Sequence, residues 1–371
     1  MRVGVIGGGQ LARMMVPPAI ELGIDIRVLA EHDGSSAAIA ATAVGDYTDA
    51  ATVLAFARDV DVITFDHEHV PQTVLAALVD AGHAVRPSPE ALAVAQDKIL
   101  MRERLSAIGA PVPEWAVARD AAGLEAFLAE HGGRAVVKTP RGGYDGKGVR
   151  VVRAAGEADD WFADAGDDGL LVEELVEFRR ELAQLVARRP SGEVRAWPLV
   201  ETVQRDGVCA EVIAPAPDAG ALDAEARVLA ERIAGELGVT GVLAVELFET
   251  SDARLLINEL AMRPHNTGHW SIDGAVTSQF EQHLRAVLDL PLGDPSPTAP
   301  WTVMVNILGG PAGATMSDRY PEAFAAHPAV KFHSYGKESR PGRKVGHVTM
   351  SGDDREATLA GARAAAAFFQ G

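Results

Sequence analysis

The sequence predicts an α/β unit with a mostly parallel sheet over residues 1–97, an α+β region over 98–290 and a small C-terminal unit over 291–371. Three patterns predict this. The first 97 residues alternate strand and helix, as βαβ units do. A strand, a glycine-rich loop and a second strand occupy 135–152. An apolar hairpin with a glutamate on each arm occupies 242–259.

In the first unit, Val3–Ile6 reads as a strand, Leu11–Glu21 as a helix and Ile26–Leu29 as a strand. Thr52–Arg58 (helix), Val62–Phe65 (strand) and Val74–Asp80 (helix) follow. The turn Gly7-Gly8-Gly9-Gln10-Leu11-Ala12 follows a strand and opens a helix, and Glu31 lies beyond the next strand. That fits a dinucleotide fingerprint. Its physical content is narrower: a helix N-terminus with free N–H groups suits an anion, and a ribose 5′-phosphate would serve as well as a pyrophosphate. A purely structural turn fits too.

Gly109-Ala110-Pro111-Val112-Pro113 punctuates the chain and opens a second unit. Within it, residues 110–176 form a subdomain with a helix (Ala121–Glu130), the glycine hairpin and a closing strand (Leu170–Val172). Lys138, Gly142, Gly143, Gly146, Lys147 and Gly148 put two lysines and four glycines within eleven residues. Glycine N–H groups can reach phosphate oxygens with no Cβ in the way. The spacing is not that of a Walker loop, and a strand rather than a helix follows. A nucleotide cover and an ordinary flexible hairpin both fit this loop. Leu171-Val172-Glu173-Glu174-Leu175-Val176, with Glu181 beyond, ends a strand with main-chain groups that suit an adenine edge; a solvated acidic strand end fits equally.

Val242–Phe248 and Leu255–Glu259 flank the turn Ser251-Asp252-Ala253-Arg254. A symmetric hairpin sets Thr250 opposite Leu255 and Glu246 opposite Glu259. Like charges opposite one another destabilise a sheet, and an unpaired carboxylate among apolar neighbours is costly. A divalent cation resolves the conflict, and Asn258 beside the pair suits Mg²⁺. The alternative is a one-residue register slip that sends one glutamate to solvent. The polar run Arg263-Pro264-His265-Asn266-Thr267-Gly268-His269-Trp270 follows at once. The stretch 290–300 carries four prolines and reads as a linker or long surface loop. Beyond it come a strand (Thr302–Leu308), a basic turn (Lys337–Lys344), a strand (Val345–Met350) and an alanine-rich helix (Arg355–Phe369).

The net charge is −18, which excludes a polyanionic partner such as nucleic acid or an anionic membrane. Any anionic ligand must be held by a local cationic patch. Only six of the 34 basic residues are lysines: Lys98, Lys138, Lys147, Lys331, Lys337 and Lys344. Lysine is a compact point charge, so these positions are candidates for phosphate contacts. Lys337, Arg340, Arg343 and Lys344 place four cations in eight residues, which suits a small phosphorylated substrate. One cysteine, Cys209, forbids an intrachain disulfide and fits a reducing compartment. No apolar run reaches the ~20 residues that span a membrane. With a strand beginning at Arg2, the expectation is a soluble cytoplasmic protein without a signal peptide.

Four segments carry a resemblance. They are Gly7-Gly8-Gly9-Gln10-Leu11-Ala12-Arg13-Met14, residues 137–148, residues 257–270 and Arg340-Pro341-Gly342-Arg343-Lys344-Val345-Gly346-His347. Over nearly its whole length the chain resembles the ATP-grasp superfamily. Within it, the chain resembles the N5-carboxyaminoimidazole ribonucleotide synthase family of purine biosynthesis. The resemblance implies an ATP-grasp fold with a Rossmann-like pre-ATP-grasp domain, and a reaction in which ATP and bicarbonate give carboxyphosphate and the exocyclic amine of 5-aminoimidazole ribonucleotide is carboxylated. By the same resemblance, Lys98 and Lys138 hold ATP phosphates, and Gly142 to Gly148 form a lid. Glu173, Glu174, Leu175 and Val176 lie along adenine, with Glu173 and Val176 bracketing it through main-chain groups. Glu181 binds ribose, Asn258 lies beside the nucleotide, and Glu246 and Glu259 ligate Mg²⁺. Tyr144, Asp145, Lys147, Arg263, His265 and Asn266 line the bicarbonate and aminoimidazole pocket. Lys337, Arg340, Arg343 and Lys344 take the ribonucleotide phosphate, with Gln10, Leu11 and Glu68 contributing. A homodimer is the expected assembly.

Two departures stand out. Gln204 replaces a histidine that many relatives carry near the nucleotide. Thr64-Phe65-Asp66-His67-Glu68 replaces the more usual Thr-Tyr-Glu-Phe-Glu. Three rival readings remain: a formate- or amino-acid-dependent ligase of the same superfamily, an NAD(P)-dependent oxidoreductase, and a non-catalytic nucleotide-binding regulator. The second leaves the glycine loop and the glutamate pair without a role.

Overall fold

The computed structural model describes residues 1–143, 148–310 and 315–370. Strands β1 (Arg2–Ile6), β2 (Asp25–Ala30), β3 (Ala41–Val44) and β4 (Val62–Phe65) form a parallel sheet in the order β3-β2-β1-β4. Helix α1 (Gln10–Glu21) follows β1. Helix α2 (Ala50–Ala57) starts at Asp49, whose carboxylate accepts from the Thr52 N–H at 3.0 Å. Helices α3 (Gln72–Asp80), α4 (Pro89–Gln96) and α5 (Lys98–Ala107) complete this part. The sequence reading missed β3, α4 and α5. The last two are short helices on either side of Asp97, with caps at Ser88 and Asp97.

A second sheet, β5-β8-β6-β7, is antiparallel. It comprises β5 (Trp115–Ala118), β6 (Ala135–Lys138), β7 (Val149–Val152) and β8 (Leu170–Glu174), with α6 (Ala121–Glu130) and α7 (Asp159–Ala165) packed on it. It has its own apolar core around Leu124, Phe127, Val137, Leu170 and Val172.

The third and largest sheet is antiparallel, with nine strands among the described residues. These are β9 (Phe178–Arg188), β10 (Val194–Ala196), β11 (Val200–Arg205), β12 (Val208–Ala214), β13 (Gly241–Thr250), β14 (Leu255–Ala261), β15 (Trp301–Leu308), β16 (Lys331–Ser334) and β17 (Lys344–Gly352). Helices α8 (Ala221–Glu236), α9 (Ser271–Gly274), α10 (Gln279–Val287), α11 (Tyr320–Ala326) and α12 (Arg355–Ala367) cover it. Strand β15 pairs with β12, so the last third of the sheet comes from beyond the proline-rich connection.

The first unit and the large sheet share one apolar core. Ile6, Phe65, Leu75 and Leu105 pack in the same cluster as Leu182, Leu243 and Ile257. His283 of α10 adds a polar tie. Its Nδ1 accepts from the Val242 N–H of β13 at 3.1 Å, which leaves Nε2 to donate to Thr64 Oγ1 of β4 at 2.8 Å. Burial drives its pKa down to about 3, so the ring is held neutral.

Candidate active site

The fold brings three groups of residues to one cleft between the small and large sheets. The first group surrounds Lys138 at the end of β6. Its Nζ donates to Glu173 Oε2 at 2.7 Å and to Asn258 Oδ1 at 3.2 Å. Arg102, fully buried on α5, bonds the other oxygen of Glu173 and donates to the Asn258 carbonyl at 2.7 Å. Burial pushes the Glu173 pKa up. The Lys138 and Arg102 charges outweigh it and hold the group below the usual carboxylate range. The Glu173 side chain is therefore a buried tie for Lys138, and Leu175 and Val176 form the half-buried connection from β8 to β9. Lys98 opens α5 behind its Asp97 cap and donates to the Gly142 carbonyl at 3.0 Å. Arg141 binds Asp97 and Asp168, each at 2.8 Å, so the entrance to the glycine loop is fastened to α5.

The second group is the carboxylate hairpin. Glu246 of β13 stands opposite Glu259 of β14, as the sequence predicts. The route to that pairing differs from the symmetric hairpin: Glu249, not Thr250, faces Leu255. The correction has a local cause. Thr250 closes the turn, its Oγ1 bonded to Asp252 at 2.6 Å and to the Arg254 N–H at 3.0 Å. A bulge at Asn258 then restores the Glu246–Glu259 pair. The bulge also turns Asn258 and Glu259, consecutive residues, toward the same half-open cleft; a regular strand would send them to opposite faces. Burial, then the nearby Glu259 and Glu181 charges, raise the Glu246 pKa to about 8. Glu181 of β9 is raised as well, by burial, against a hydrogen bond from Gln204. Gln204 thus touches the carboxylate expected at the ribose.

The third group faces the carboxylates. His265 Nε2 lies 3.2 Å from Glu246 Oε1, and its Nδ1 is 2.9 Å from Thr267 Oγ1. Burial, then the Arg263 and Lys344 charges, drive the His265 pKa well down, so the imidazole is neutral. Arg263 Nε donates to Glu68 at 2.7 Å, joining the first unit to the cleft. Asn266 is buried, and neither end of its amide finds a nitrogen or oxygen partner among the described residues. Lys337 Nζ donates to Gln10 Oε1 at 2.7 Å. Lys344 acts on Glu246, His265 and Cys209 through its charge, so it lies near the carboxylate pair.

The dinucleotide fingerprint is filled by the chain itself. Asp66 Oδ1 accepts from the Ala12 N–H at 2.6 Å, and Glu31 accepts from the Gly8 N–H at 3.0 Å. A Cβ at Gly9 would overlap the Asp66 carboxylate. Glu31 is also bonded to His67, the main reason its pKa falls to about 2. Two carboxylates sit where a pyrophosphate would go.

Comparison with known proteins decides the family. A ribonucleotide synthetase preATP-grasp domain model matches residues 1–96, an ATP-grasp domain model residues 103–280, and a phosphoribosylaminoimidazole carboxylase C-terminal domain model residues 302–361. The N5-carboxyaminoimidazole ribonucleotide synthase of Mycobacterium tuberculosis is 52% identical over 95% of this chain and 84% of its own length. That of Corynebacterium ammoniagenes is 52% identical over 99% of this chain and 91% of its own length. The chain belongs to the N5-carboxyaminoimidazole ribonucleotide synthase family. Solved structures of this family share the fold. The Thermus thermophilus synthetase superposes with a TM-score of 0.87 at 37% identity, covering 97% of this chain and 96% of that one. The Aspergillus clavatus synthase in complex with ADP and 5-aminoimidazole ribonucleotide gives 0.89 at 30% identity, covering 99% and 98%.

Seen as a member of this synthase family, the chain gathers most of the residues the sequence singled out. Tyr144, Asp145, Gly146 and Lys147 lie outside the described residues. Gly142, Gly143 and Gly148 all adopt positive φ. Glu174 bonds the Glu114 N–H at 3.0 Å on the outer side of its sheet. Leu11 is buried in the first unit's core, leaving its backbone for any ligand. Arg340 is two-thirds exposed and paired with Glu338, and Arg343 donates to the Glu338 carbonyl. The structure holds these two side chains at Glu338, whereas Lys337 bonds Gln10 and Lys344 acts on Glu246 and His265. Sequence reasoning missed Arg102 and Gln279. Arg102 sits four residues after Lys98 on one helix face, a spacing that was available. Gln279 holds the His265 N–H at 2.8 Å and its carbonyl at 2.7 Å across fourteen residues, with no local signal.

Proposed function

We propose that this chain carboxylates the exocyclic amine of 5-aminoimidazole ribonucleotide, using ATP and bicarbonate and releasing ADP and phosphate. Family membership supports the ATP-dependent reaction. The observation that carries the site assignment is Glu246 opposite Glu259, beside Asn258 and Lys138 and facing His265 and Lys344.

The proposed sequence is short. A bicarbonate oxygen attacks the γ-phosphorus, ADP leaves and carboxyphosphate forms. The amine nitrogen attacks the carboxyl carbon, phosphate leaves, and the amine gives up a proton. Lys98 and Lys138 hold phosphate oxygens, and Glu173 and Arg102 keep Lys138 in place. Glu181 takes ribose hydroxyls, and the segment 173–176 borders adenine. Glu246 and Glu259 would hold Mg²⁺, whose bound charge neutralises phosphate oxygens. The donors fit that ion: two carboxylates and an amide oxygen, all hard ligands. Two carboxylates and an amide would leave the remaining positions to phosphate and water, as Mg²⁺ prefers. Neutral His265, its Nδ1 capped by the Thr267 N–H, keeps Nε2 beside Glu246. Arg263, Asn266, Tyr144, Asp145 and Lys147 surround the carboxyl transfer, and the glycine loop excludes water from carboxyphosphate. Lys337 and Lys344, with Gln10 and Glu68, take the ribonucleotide, while Arg340 and Arg343, held at Glu338, add charge along the same turn.

The domain division at 97/98 and 290/291, a homodimer and a cytoplasmic location complete the proposal. The lone buried thiol of Cys209 supports a reducing compartment, and no helix among the described residues is long and apolar enough to cross a membrane. The test is ADP release with ATP, bicarbonate and 5-aminoimidazole ribonucleotide, each omitted in turn. Turnover needing all three supports the reading. Turnover with formate replacing bicarbonate, or none with all components, defeats it.

A further inference from the structure

The basic turn has to be aimed, and four consecutive residues at its entrance are gripped from the first unit. Arg13 of α1, half-buried, donates from Nε to the Ser334 carbonyl at 3.1 Å and from Nη1 to the Ser36 carbonyl at 2.9 Å. Ser36 Oγ in turn donates to the Tyr335 carbonyl at 2.5 Å. Gly336 has φ +64°, and a Cβ there would come within 3.0 Å of Arg13 Nη1, so the guanidinium lies against the backbone. Lys337 then bonds Gln10, one turn earlier on the same helix. From the other side, the Tyr335 hydroxyl meets His347 Nδ1 at 2.8 Å and its N–H donates to the Val345 carbonyl at 2.9 Å. One planar fork therefore ties the α1 helix, the 34–37 loop and the last residue of β16 together. A lysine has three donors but no planar fork to fix the two carbonyls relative to each other.

We propose that Arg13 is a positioning residue for the phosphorylated substrate: by clamping Ser334 and Ser36 it fixes the backbone that delivers Lys337 and the basic turn to the cleft. Among the described residues Arg13 bonds only main-chain carbonyls, so it acts through the turn. The inference rests on the reading that this turn receives the ribonucleotide phosphate.

The test compares Arg13→Ala and Arg13→Lys with the parent in steady-state kinetics and amide hydrogen exchange. Loss of two charge-assisted bonds raises KM for 5-aminoimidazole ribonucleotide about tenfold or more. The KM for ATP and kcat stay within about twofold, since the Lys138 and Glu246 groups are untouched. Arg13→Lys recovers part of the loss, and exchange at residues 334–344 speeds up in Arg13→Ala. Equal rises in both KM values point to general destabilisation and overturn the inference. Unchanged exchange at 334–344 overturns it whatever the kinetics. A parent enzyme that ignores the ribonucleotide defeats the proposed function instead, and the exchange comparison still judges the clamp.

Discussion

Glu173→Gln is the sharpest perturbation of the site. The wild-type carboxylate is about 4% exposed and sits between Arg102, at 0%, and Lys138, at 10%. Glutamine keeps the shape and removes the charge, leaving two buried cations with no anion between them. Arg102 has nowhere else to turn: Nη1 has no acceptor among the described residues, and only the Asn258 carbonyl remains for Nη2. Breaking a buried pair from one side costs about 3–5 kcal/mol. Lys138 keeps only its 3.2 Å contact to Asn258, so KM for ATP rises together with the loss of stability. Urea unfolding measures the first effect and ADP-release kinetics the second. Adding Arg102→Met to Glu173→Gln removes one stranded cation and should recover at least ~1 kcal/mol. The pH signature is equally definite. The Glu173 pKa is held below 4.5, so its contribution is present above the ordinary carboxylate range and lost as pH falls through the lower folded value. Glu173→Gln should lack that acid-side loss. A cost below ~1 kcal/mol with an unchanged KM for ATP refutes the account of Glu173 as the tie that holds Lys138.

Other outcomes follow from the same geometry. Because burial and the Glu259 charge raise the Glu246 pKa, the free carboxylate pair holds a proton near neutral pH. MgATP binding should release it, as calorimetry in buffers of different ionisation enthalpy can measure, and should tighten about tenfold between pH 6 and 7; proton-neutral binding contradicts this. Because that pKa lies above the unfolded value, Glu246 costs the free protein stability as pH rises from about 4.5 to about 8, and MgATP should restore the melting temperature most at the upper end. Glu68→Gln strips Arg263 of its carboxylate partner at 2.7 Å. It should lower kcat/KM for the ribonucleotide at least tenfold with little change for ATP, as varied-substrate kinetics would reveal. NAD should leave the melting temperature unmoved, since Asp66 and Glu31 fill the Gly7–Ala12 turn; a shift of several degrees would contradict that assignment.

The fold was legible where periodicity is strong: β1, α1, β4, α6 and the β13–β14 hairpin all follow from local pattern. The glutamate pair was legible too, though for a partly mistaken reason. Equal spacing about the turn suggested it, whereas the chain uses an offset turn and a compensating bulge at Asn258. A bulge leaves little trace in composition. The same holds for Glu173, whose neighbours suggested an exposed strand end. Its burial depends on Arg102 of α5 and Lys138 of β6 meeting it, which only the tertiary fold decides. Arg102 could have been found from its place one turn after Lys98, whereas Gln279, His283 and Arg13 bond partners that no spacing rule reaches. Glu31 misled in the opposite sense, because a fingerprint position can be filled by the protein's own side chain.

The distribution of apolar cores has a kinetic consequence. The first unit and the large sheet share one packed cluster, and His283 locks β4 to β13 in a single tautomer. The small sheet has a separate cluster of its own. Swinging the small sheet therefore opens no void in either core, whereas parting the other two would expose their common one. Breathing motions should divide along that seam. Amides of β5–β8 should exchange as one cooperative group at lower free energy, and those of β1, β4, β9 and β13 should exchange together near the global limit. The wall proposed to meet the ribonucleotide is thereby rigid before any substrate arrives, and motion is confined to the proposed nucleotide side.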